Sequence, residues 1–362
     1  MKVGILGGGQ LGRMLTLAGY PLGIQCVCYE QASTPSAGFT GKVELGRFDD
    51  VKHLESWVKA HDVITYEWEN FSPDLVGHLA EVRPLHPSVR ALAAAQDRWH
   101  EKVLFDELDI PVAAFRFASD ERELRQAIDE LDMPVVVKTK FGGYDGKGQA
   151  VVRNEEDVLA AVQLVSDIPV IVEKLIDFQS EVSAIGVRGH NGDVVTYPLT
   201  HNIHRDGILR RSTAPAVVPA EFETAARMHL EAVMKRLDYV GVLALEFFVT
   251  PSGLMANEMA PRVHNSGHWT MNGAATSQFE NHLRAVCGLP LGSTEVLSPV
   301  AMVNCIGAIP SAEHVLAIPG THLHTYDKSP QPGRKVGHIN VTAPTNDELM
   351  RRVDAVERLL TQ

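Results

Sequence analysis

The chain has 362 residues and a formal net charge of −12, with 45% hydrophobic and 22% charged residues. This length predicts two or three domains rather than one core, and the acidic balance excludes nucleic-acid binding unless a local basic patch exists. Outside the last helix, the tight basic pairs are Arg210-Arg211 and Arg334-Lys335, too few for a phosphate-backbone track.

The first part of the chain alternates strands with helices. Lys2–Leu6 is an apolar run, the glycine cluster Gly7–Gly12 follows it, and apolar residues then recur at helical spacing. Ile24–Tyr29 and Asp62–Glu67 are further strands. Such alternation predicts a parallel sheet with covered faces.

A second α/β unit is expected after His86-Pro87. One helix should run from an N-cap at Ser88 to about Leu108, and Pro111 closes it. The remaining elements of this unit are the helix Asp120–Leu131, the strand Val135–Lys138, the strand Ala150–Arg153 and the helix Glu155–Val165. Asp120 and Glu123 have capping-box spacing at the start of the first of these helices.

The rest of the chain favours antiparallel structure. The stretches Val170–Lys174, Ser180–Arg188 and Asp193–Leu199 alternate or run apolar, as in an antiparallel sheet. The later elements are the helix Ala220–Leu237, the strands Gly241–Thr250 and Leu254–Met259, short strands past Pro290, and a last helix capped by Thr345. Three domains fit this pattern best.

The cysteines and apolar runs indicate a protein of the cell interior. No apolar run approaches the roughly 20 residues of a membrane span, and no charged leader precedes the first strand. The four cysteines, Cys26, Cys28, Cys287 and Cys305, form no C-x-x-C pair. We expect reduced core cysteines and a soluble cytoplasmic protein.

The first chemical motif is the G-x-G-x-x-G of Gly7, Gly9 and Gly12. It follows a strand and opens a helix, where backbone N–H groups can bind phosphate. With Glu30 downstream it matches a dinucleotide fingerprint. A tight turn without ligand is the alternative.

A glycine-rich hairpin follows Lys138 and spans Gly142–Gln149. Backbone N–H groups and a lysine in such a loop can close over a polyphosphate. The loop lacks the G-K-[ST] ending of a Walker site, which excludes that site. A solvated hairpin is the alternative.

The segment Glu173–Ile176, followed by Glu181, could present backbone groups to adenine and a carboxylate to ribose. Judged by these residues alone, a surface salt-bridge face is the better interpretation. The segment becomes informative only beside the other motifs.

Two carboxylates carry the strongest signal. Glu246 lies within an apolar strand and Glu258 follows on the next, beside Asn257. A lone buried Glu is costly unless it is paired or binds a cation, so two of them on adjacent strands predict a Mg²⁺-phosphate site. Arg262, His264 and Asn265 follow as donors for a second anion. A structural ion-pair network is the alternative.

In this order, the strand-end lysine, glycine-rich loop, E-K-L-I segment and L-E-F-F…N-E-M-A-P-R pair resemble the ATP-grasp superfamily. The longer motifs G-G-G-Q-L-G-R-M, G-G-Y-D-G-K-G-Q, H-N-I-H-R-D-G-I-L, P-R-V-H-N-S-G-H-W-T and P-G-R-K-V-G-H-I-N-V resemble the 5-(carboxyamino)imidazole ribonucleotide synthase family. The resemblance covers nearly the whole chain. It implies a mixed α/β and α+β ATP-grasp fold with three parts: a Rossmann-like pre-ATP-grasp domain at 1–97, an ATP-grasp domain at 98–290 with a lid at about 110–170, and a small C-terminal β-rich domain at 291–362.

The family resemblance also implies a reaction. ATP, bicarbonate and 5-aminoimidazole ribonucleotide would give the N-carboxy product, ADP and phosphate through carboxyphosphate, with Mg²⁺ as cofactor. The implied ATP-binding residues are Arg98, Lys138, Gly143, Tyr144, Asp145, Gly146, Lys147, Gly148, Gln149, Glu173, Lys174, Leu175, Ile176, Glu181, His204, Asn257 and Glu258. Glu246 and Glu258 match the metal ligands.

The same resemblance implies two further residue sets. The ribonucleotide site would comprise Gly9, Gln10, Leu11, Glu67, Tyr144, Asp145, Arg334 and Lys335. The catalytic group around bicarbonate and carboxyphosphate would comprise Arg262, His264, Asn265 and Tyr144. Our own addition is that His264 takes the proton of the attacking amine.

Three other functions compete with this interpretation. A formate-dependent phosphoribosylglycinamide formyltransferase would share the ATP-grasp fold. An NAD-dependent oxidoreductase would rest on the glycine fingerprint, and a non-catalytic regulator would bind ATP without turnover. The family resemblance also suggests a homodimer.

Overall fold

The computed structural model describes residues 1–143 and 148–360, and three hydrogen-bonded sheets organise this part of the chain. None of the helices in these two ranges is both long and apolar enough to cross a membrane. All four cysteines are free and buried, as expected of core residues.

The first sheet is parallel, with strand order β3-β2-β1-β4, which confirms the prediction for this segment. Its strands and helices are β1 Lys2–Leu6, α1 Gln10–Gly19, β2 Gln25–Glu30, β3 Lys42–Leu45, α2 Val51–Lys59, β4 Val63–Tyr66, α3 Pro73–Val82 and α4 Val89–Gln96. Leu11, Met14 and Leu15 form the buried stripe of α1. The N-terminus of α1 therefore lies at the carboxyl ends of β1 and β4, the usual ligand edge of such sheets.

The single helix predicted from Ser88 to Leu108 is wrong, because Asp97 divides it into two. Asp97 is extended, and its carboxylate accepts hydrogen bonds from the N–H groups of Trp99 (3.0 Å) and His100 (3.3 Å). It is thus the N-cap of a new helix. This break places Arg98 at the first turn of that helix, beside the glycine-rich loop.

The second sheet is antiparallel, with order β5-β8-β6-β7, and packs against two helices of the same segment. The elements from the new helix onward are α5 Arg98–Glu107, β5 Phe115–Ala118, α6 Glu121–Leu131, β6 Val135–Thr139, β7 Gln149–Val152, α7 Glu155–Asp167 and β8 Val170–Lys174. The antiparallel pairing predicted for Val170–Lys174 is confirmed, but its grouping with the strands that follow it is wrong. It pairs with β5 and β6 instead.

The third sheet has nine strands, ordered β14-β13-β9-β11-β12-β15-β17-β16 with β10 on β9. Its first elements are β9 Ser180–Arg188, β10 Val194–Thr196, β11 Thr200–Arg205, β12 Ile208–Ala214, α8 Ala220–Arg236, β13 Gly241–Thr250, β14 Gly253–Ala260, α9 Thr270–Gly273 and α10 Gln278–Val286. The last elements are β15 Val300–Ile306, α11 Ala312–Leu316, β16 Thr321–Thr325, β17 Lys335–Thr342 and α12 Asn346–Leu360.

The C-terminal strands extend this sheet rather than forming a separate one. Ala214 of β12 pairs with Val300 of β15, so hydrogen bonds cross the domain boundary that we expect near residue 290. The three-domain division remains a prediction. One consequence for function is that residues of β17 share a sheet with the paired acidic strands β13 and β14.

Candidate active site

Glu246 and Glu258 are register partners on the antiparallel strands β13 and β14, beside an irregularity between Glu246 and Phe247. Burial raises the pKa of the Glu246 carboxyl, and the charge of Glu258 raises it further. Two such carboxylates supply the hard oxygen donors that Mg²⁺ prefers.

This carboxylate pair is only part of a metal shell. Within residues 1–143 and 148–360, no group of three or more His, Cys, Asp or Glu side chains is placed to hold a metal. Mg²⁺ usually keeps several waters and takes one or two carboxylates plus substrate phosphates. The donor set therefore fits a Mg²⁺ that arrives with a nucleotide.

His264 lies beside the carboxylate pair, with its Nε2 atom 3.7 Å from Glu246 Oε1. Nδ1 of His264 lies 2.8 Å from Ser266 Oγ and accepts the backbone N–H of Ser266 at 3.4 Å, so this nitrogen already has partners. Burial, with the charges of Arg262 and Lys335, lowers the pKa of His264 well below its usual value. Both findings weigh against our expectation that His264 accepts the amine proton.

Arg262 forms a bidentate ion pair with Glu69, a residue that the motifs did not single out. The Nη2 group of Arg262 donates to Glu69 Oε1 at 2.7 Å, and its Nε group donates to Oε2. Glu69 follows β4, so this pair joins the first α/β segment to the loop after β14. It fixes the guanidinium plane next to the predicted bicarbonate region.

Asn265 is held by a second amide. Its Nδ2 donates to Asn304 Oδ1 at 3.1 Å, and Asn304 Nδ2 donates back at 2.8 Å. Asn304 lies on β15, so the C-terminal strands orient this residue.

Lys138 and Asn257 lie together, and Asn257 directly precedes Glu258 on β14. Lys138 Nζ donates to Asn257 Oδ1 at 3.2 Å and lies 3.0 Å from Glu173 Oε1. Burial opposes ionisation of Glu173, but the charges of Lys102 and Lys138 lower its pKa to about 2. The surface salt-bridge interpretation of Glu173 is therefore wrong, since this ion pair is buried.

The two residues that follow Glu173 bond to backbone carbonyls instead. The Lys174 ammonium donates to the Asp132 carbonyl at 2.8 Å, and the Leu175 N–H donates to the Pro134 carbonyl at 3.1 Å. Leu175 and Ile176 are half-buried where β8 leaves its sheet.

Arg98 contacts the start of the glycine-rich loop. Its guanidinium donates to the carbonyls of Thr139 (3.0 Å), Gly142 and Gly143 (3.4 Å). Gly142, Gly143 and Gly148 have positive φ angles, which only glycine adopts without strain. Gln149 begins β7, whereas four predicted site residues lie outside the described residues: Tyr144, Asp145, Gly146 and Lys147.

Glu181 and His204 form a hydrogen-bonded pair on the neighbouring strands β9 and β11. Burial opposes a charge on His204, but the Glu181 hydrogen bond and the charge of Glu246 raise its pKa above the usual value. The structure therefore brings these two predicted nucleotide residues next to the carboxylate pair.

The glycine loop before α1 is not a set of free donors. Glu67 accepts hydrogen bonds from the N–H groups of Gly9 and Gly12 (2.6 Å), and Glu30 accepts one from Gly8 at 2.9 Å. Our expectation that this loop forms an open phosphate cradle is wrong for these three N–H groups. Burial raises the pKa of the Glu67 carboxyl, although both donors oppose the shift.

Glu30 is unsuited to the role that it would have in a dinucleotide site. Its carboxylate also accepts from the N–H groups of Gln31 (2.8 Å) and Ala32 (3.0 Å). An NAD ribose would have to compete with these backbone donors. The oxidoreductase interpretation loses its main support.

A lysine from the segment between β16 and β17 contacts the start of α1, next to the same loop, and sequence reasoning missed it. Lys328 donates to the side-chain oxygen of Gln10. Burial lowers the pKa of Lys328, and the positive charges of Arg334 and Lys335 lower it further. The negative charge of Glu67 has the opposite effect. The signal for Lys328 was its place seven residues before Lys335, in the same proline-rich stretch.

Lys335 connects the two halves of the site. It begins β17, and its charge lowers the pKa of both Glu246 and Lys328. Leu11 is buried in a core that the first segment shares with the third sheet, so only its backbone could meet a ligand. The predicted nucleotide, metal and ribonucleotide residues thus form two adjoining groups.

Family models match three successive parts of the chain. They are described as a ribonucleotide synthetase preATP-grasp domain at residues 1–96, an ATP-grasp domain at 103–279 and a phosphoribosylaminoimidazole carboxylase C-terminal domain at 300–352. The order agrees with the resemblance found in the motifs.

Whole-chain relatives agree. The chain is 44% identical to the N5-carboxyaminoimidazole ribonucleotide synthase of Pseudomonas aeruginosa over 360 residues, 99% of both chains. It is similar to the crystal structure of the synthetase of Thermus thermophilus, with a TM-score of 0.95 and 44% identity over 99% of both chains. A third relative is the Aspergillus clavatus synthase in complex with ADP and 5-aminoimidazole ribonucleotide, with a TM-score of 0.90 and 33% identity over 99% of this chain and 98% of that one. The chain belongs to the family of N5-carboxyaminoimidazole ribonucleotide synthases, enzymes of the ATP-grasp type.

Proposed function

We propose that this chain catalyses the ATP-dependent carboxylation of 5-aminoimidazole ribonucleotide with bicarbonate, a step of purine biosynthesis. The products are N5-carboxyaminoimidazole ribonucleotide, ADP and phosphate. The observation that carries the proposal is the pairing of Glu246 with Glu258, together with Lys335, whose charge acts on both Glu246 and Lys328. It supports a site for a nucleotide polyphosphate beside a site for a nucleotide monophosphate. The relative that holds ADP together with 5-aminoimidazole ribonucleotide supports it.

ATP would bind between the second sheet and β14. Lys138 and Arg98 would supply positive charge to its phosphates. The backbone of Glu173–Ile176 would contact adenine, and Glu181 with His204 would contact ribose.

Glu246 and Glu258 would hold Mg²⁺, with Asn257 beside them. When bound, this ion neutralises charge on the polyphosphate as the terminal phosphoryl group leaves. The role of the two carboxylates would be to hold the ion in place.

The ribonucleotide would bind between the α1 loop and the C-terminal cations. A monophosphate carries about two negative charges at neutral pH, which one helix N-terminus cannot balance. Because Glu30 and Glu67 already use the N–H groups of the loop, Lys328, Arg334 and Lys335 must supply the compensating charge. Glu67 would then accept from a ribose hydroxyl, and Gln10 would contact the phosphate.

The chemistry follows from the weakness of bicarbonate as an electrophile. Phosphorylation of its hydroxyl gives carboxyphosphate, in which phosphate is a good leaving group. Arg262, whose plane is fixed by Glu69, would bind this anion, and Asn265 would donate to it. The lid that the family resemblance implies at about 110–170 would exclude water, which otherwise destroys carboxyphosphate.

Two further properties are part of the proposal. The family resemblance suggests a homodimer and a cytoplasmic location. The division into domains at residues 97 and 290 also stands as proposed.

The test is a substrate-dependence assay on the purified protein. ADP and phosphate should form together only when both bicarbonate and 5-aminoimidazole ribonucleotide are present with Mg-ATP. Replacing bicarbonate and the ribonucleotide with formate and phosphoribosylglycinamide should give no turnover. Turnover with formate would instead favour the formyltransferase function.

A further inference from the structure

Lys102 is a buried lysine that no motif explains. It lies on α5 with 1% of its side chain exposed, although lysines are almost never fully buried unless they are paired. Its ammonium lies 3.1 Å from Glu173 Oε2 and donates to the backbone carbonyls of Asn257 (2.8 Å) and Ala256 (3.4 Å). It therefore connects α5, the second sheet and the acidic strand β14.

Glu173 is shared between two lysines. Its Oε2 atom faces Lys102 and its Oε1 atom faces Lys138, at 3.1 Å and 3.0 Å. The three side chains carry two positive charges and one negative charge, so the group keeps a net charge of +1. With Glu173 and Lys138 alone, the net charge beside the nucleotide phosphates would be zero.

Asn257 is the second point that the two lysines share. Lys102 donates to its backbone carbonyl and Lys138 to its side-chain oxygen, at 2.8 Å and 3.2 Å. Asn257 directly precedes the predicted metal ligand Glu258. Lys102 thus ties β8, the strand that carries Glu173, to β14, the strand that carries the predicted metal ligand Glu258.

We propose that Lys102 is a positioning residue for ATP: by sharing Glu173 with Lys138, it leaves the positive charge of Lys138 available to the nucleotide phosphates. The inference rests on the proposed function, because it names Lys138 as a phosphate ligand. It also changes the role of Glu173, whose side chain balances charge between two lysines.

The test is a charge-balance series assayed for the KM of ATP and for kcat. Lys102→Met leaves Glu173 to neutralise Lys138, so the KM for ATP should rise about tenfold or more. Lys102→Met combined with Glu173→Gln restores the net charge of +1, and the KM should return toward the wild-type value. A purely structural role predicts the opposite order, since the double variant removes more contacts. Lys102→Arg keeps the charge and should stay within about threefold of wild type.

Lys59→Met is the matched control, because Lys59 forms an ion pair with Glu55 on the exposed face of α2. Lys59→Met should leave the KM for ATP and kcat unchanged. Where Lys102→Met does not fold, as judged by its thermal midpoint, the double variant decides. A KM for ATP near wild type in the double variant supports the proposal, and a KM still raised tenfold, or loss of folding in both, overturns it.

Failure of the proposed function is recognisable separately. If the wild-type protein shows no turnover with bicarbonate and the ribonucleotide, the same series is measured as ATP binding by calorimetry. Weaker ATP binding by Lys102→Met than by the wild type and the double variant then supports the role of Lys102. Equal dissociation constants in all variants contradict it.

Discussion

Glu246 and Glu258 stand directly opposite each other on β13 and β14, although both are acidic. Like charges in directly opposed positions destabilise a sheet. Burial, together with the charge of Glu258, raises the pKa of Glu246. A strand pair that places two carboxylates together under such conditions is suited to bind a cation. The site therefore carries an unfavourable charge arrangement, which the proposed Mg²⁺ would relieve.

We expect Glu258→Gln to lower turnover by about two orders of magnitude or more, because it removes one of two proposed Mg²⁺ ligands. The thermal midpoint without ligand should be equal to that of wild type or higher, since the repulsion with Glu246 is lost. Glu313→Gln, at an exposed position of α11, is the control and should change neither quantity. Near-normal turnover in Glu258→Gln would refute the metal assignment.

We expect NADH not to bind, despite the glycine fingerprint. Glu30 accepts hydrogen bonds from Gly8, Gln31 and Ala32, and Glu67 occupies the N-terminus of α1. These bonds leave neither a ribose acceptor nor a pyrophosphate cradle. Fluorescence titration with NADH should show no saturable signal, and micromolar binding would overturn this account of the loop.

The C-terminal cations should affect the ribonucleotide and not ATP. Lys335→Ala should raise the KM for 5-aminoimidazole ribonucleotide about tenfold, a loss on the order of 1.5 kcal/mol for one charge-assisted hydrogen bond. Lys328→Ala and Arg334→Ala should act in the same direction. Steady-state kinetics with Lys235→Ala, an exposed lysine of α8, provide the control. If neither Michaelis constant changes in the three variants, the C-terminal strands do not contribute to this site.

Buried histidines should make the fold sensitive to acid. His282 accepts the Val242 N–H at Nδ1 (3.1 Å) and contacts Thr65 Oγ1 through Nε2 (2.8 Å), which joins β13 to β4. Burial lowers its pKa to about 3, so the unfolded chain binds a proton below about pH 6.5 that the native state does not. The free energy of unfolding should therefore decrease as the pH is lowered, by about 2 kcal/mol from pH 7 to pH 5 for His282 alone.

His282→Gln keeps one donor and one acceptor but does not titrate. Denaturant unfolding at several pH values should show a flatter pH dependence in this variant than in wild type. His314→Gln, at an exposed position of α11, should leave the dependence unchanged. Equal slopes in His282→Gln and wild type would contradict the burial argument.

Long apolar runs made much of the fold predictable. Lys2–Leu6, Ser180–Arg188 and Gly241–Thr250 have the strand limits that their apolar patterns indicated. The strands β11 and β12 were not predicted, because polar residues occupy their interior. Ser212 donates to Asn202 at 2.8 Å, so this polarity is satisfied inside the sheet and leaves no alternating pattern in the sequence.

The contacts of the candidate site were also predictable only in part. A tight turn joins the strands that carry Glu246 and Glu258, so the proximity of the two carboxylates could be predicted from local structure. Arg262 and Glu69 are 193 residues apart, and Lys328 and Gln10 are 318 apart. Such contacts depend on how separate segments pack, which no local pattern encodes.

The most direct test of the account is the fate of bicarbonate oxygen. Bicarbonate labelled with heavy oxygen is supplied with ATP, Mg²⁺ and 5-aminoimidazole ribonucleotide, and the phosphate formed is analysed by mass spectrometry. If bicarbonate is activated as carboxyphosphate, one labelled oxygen should appear in each phosphate released, in step with formation of the N-carboxy product. Unlabelled phosphate, with the product still formed, would contradict activation of bicarbonate by ATP.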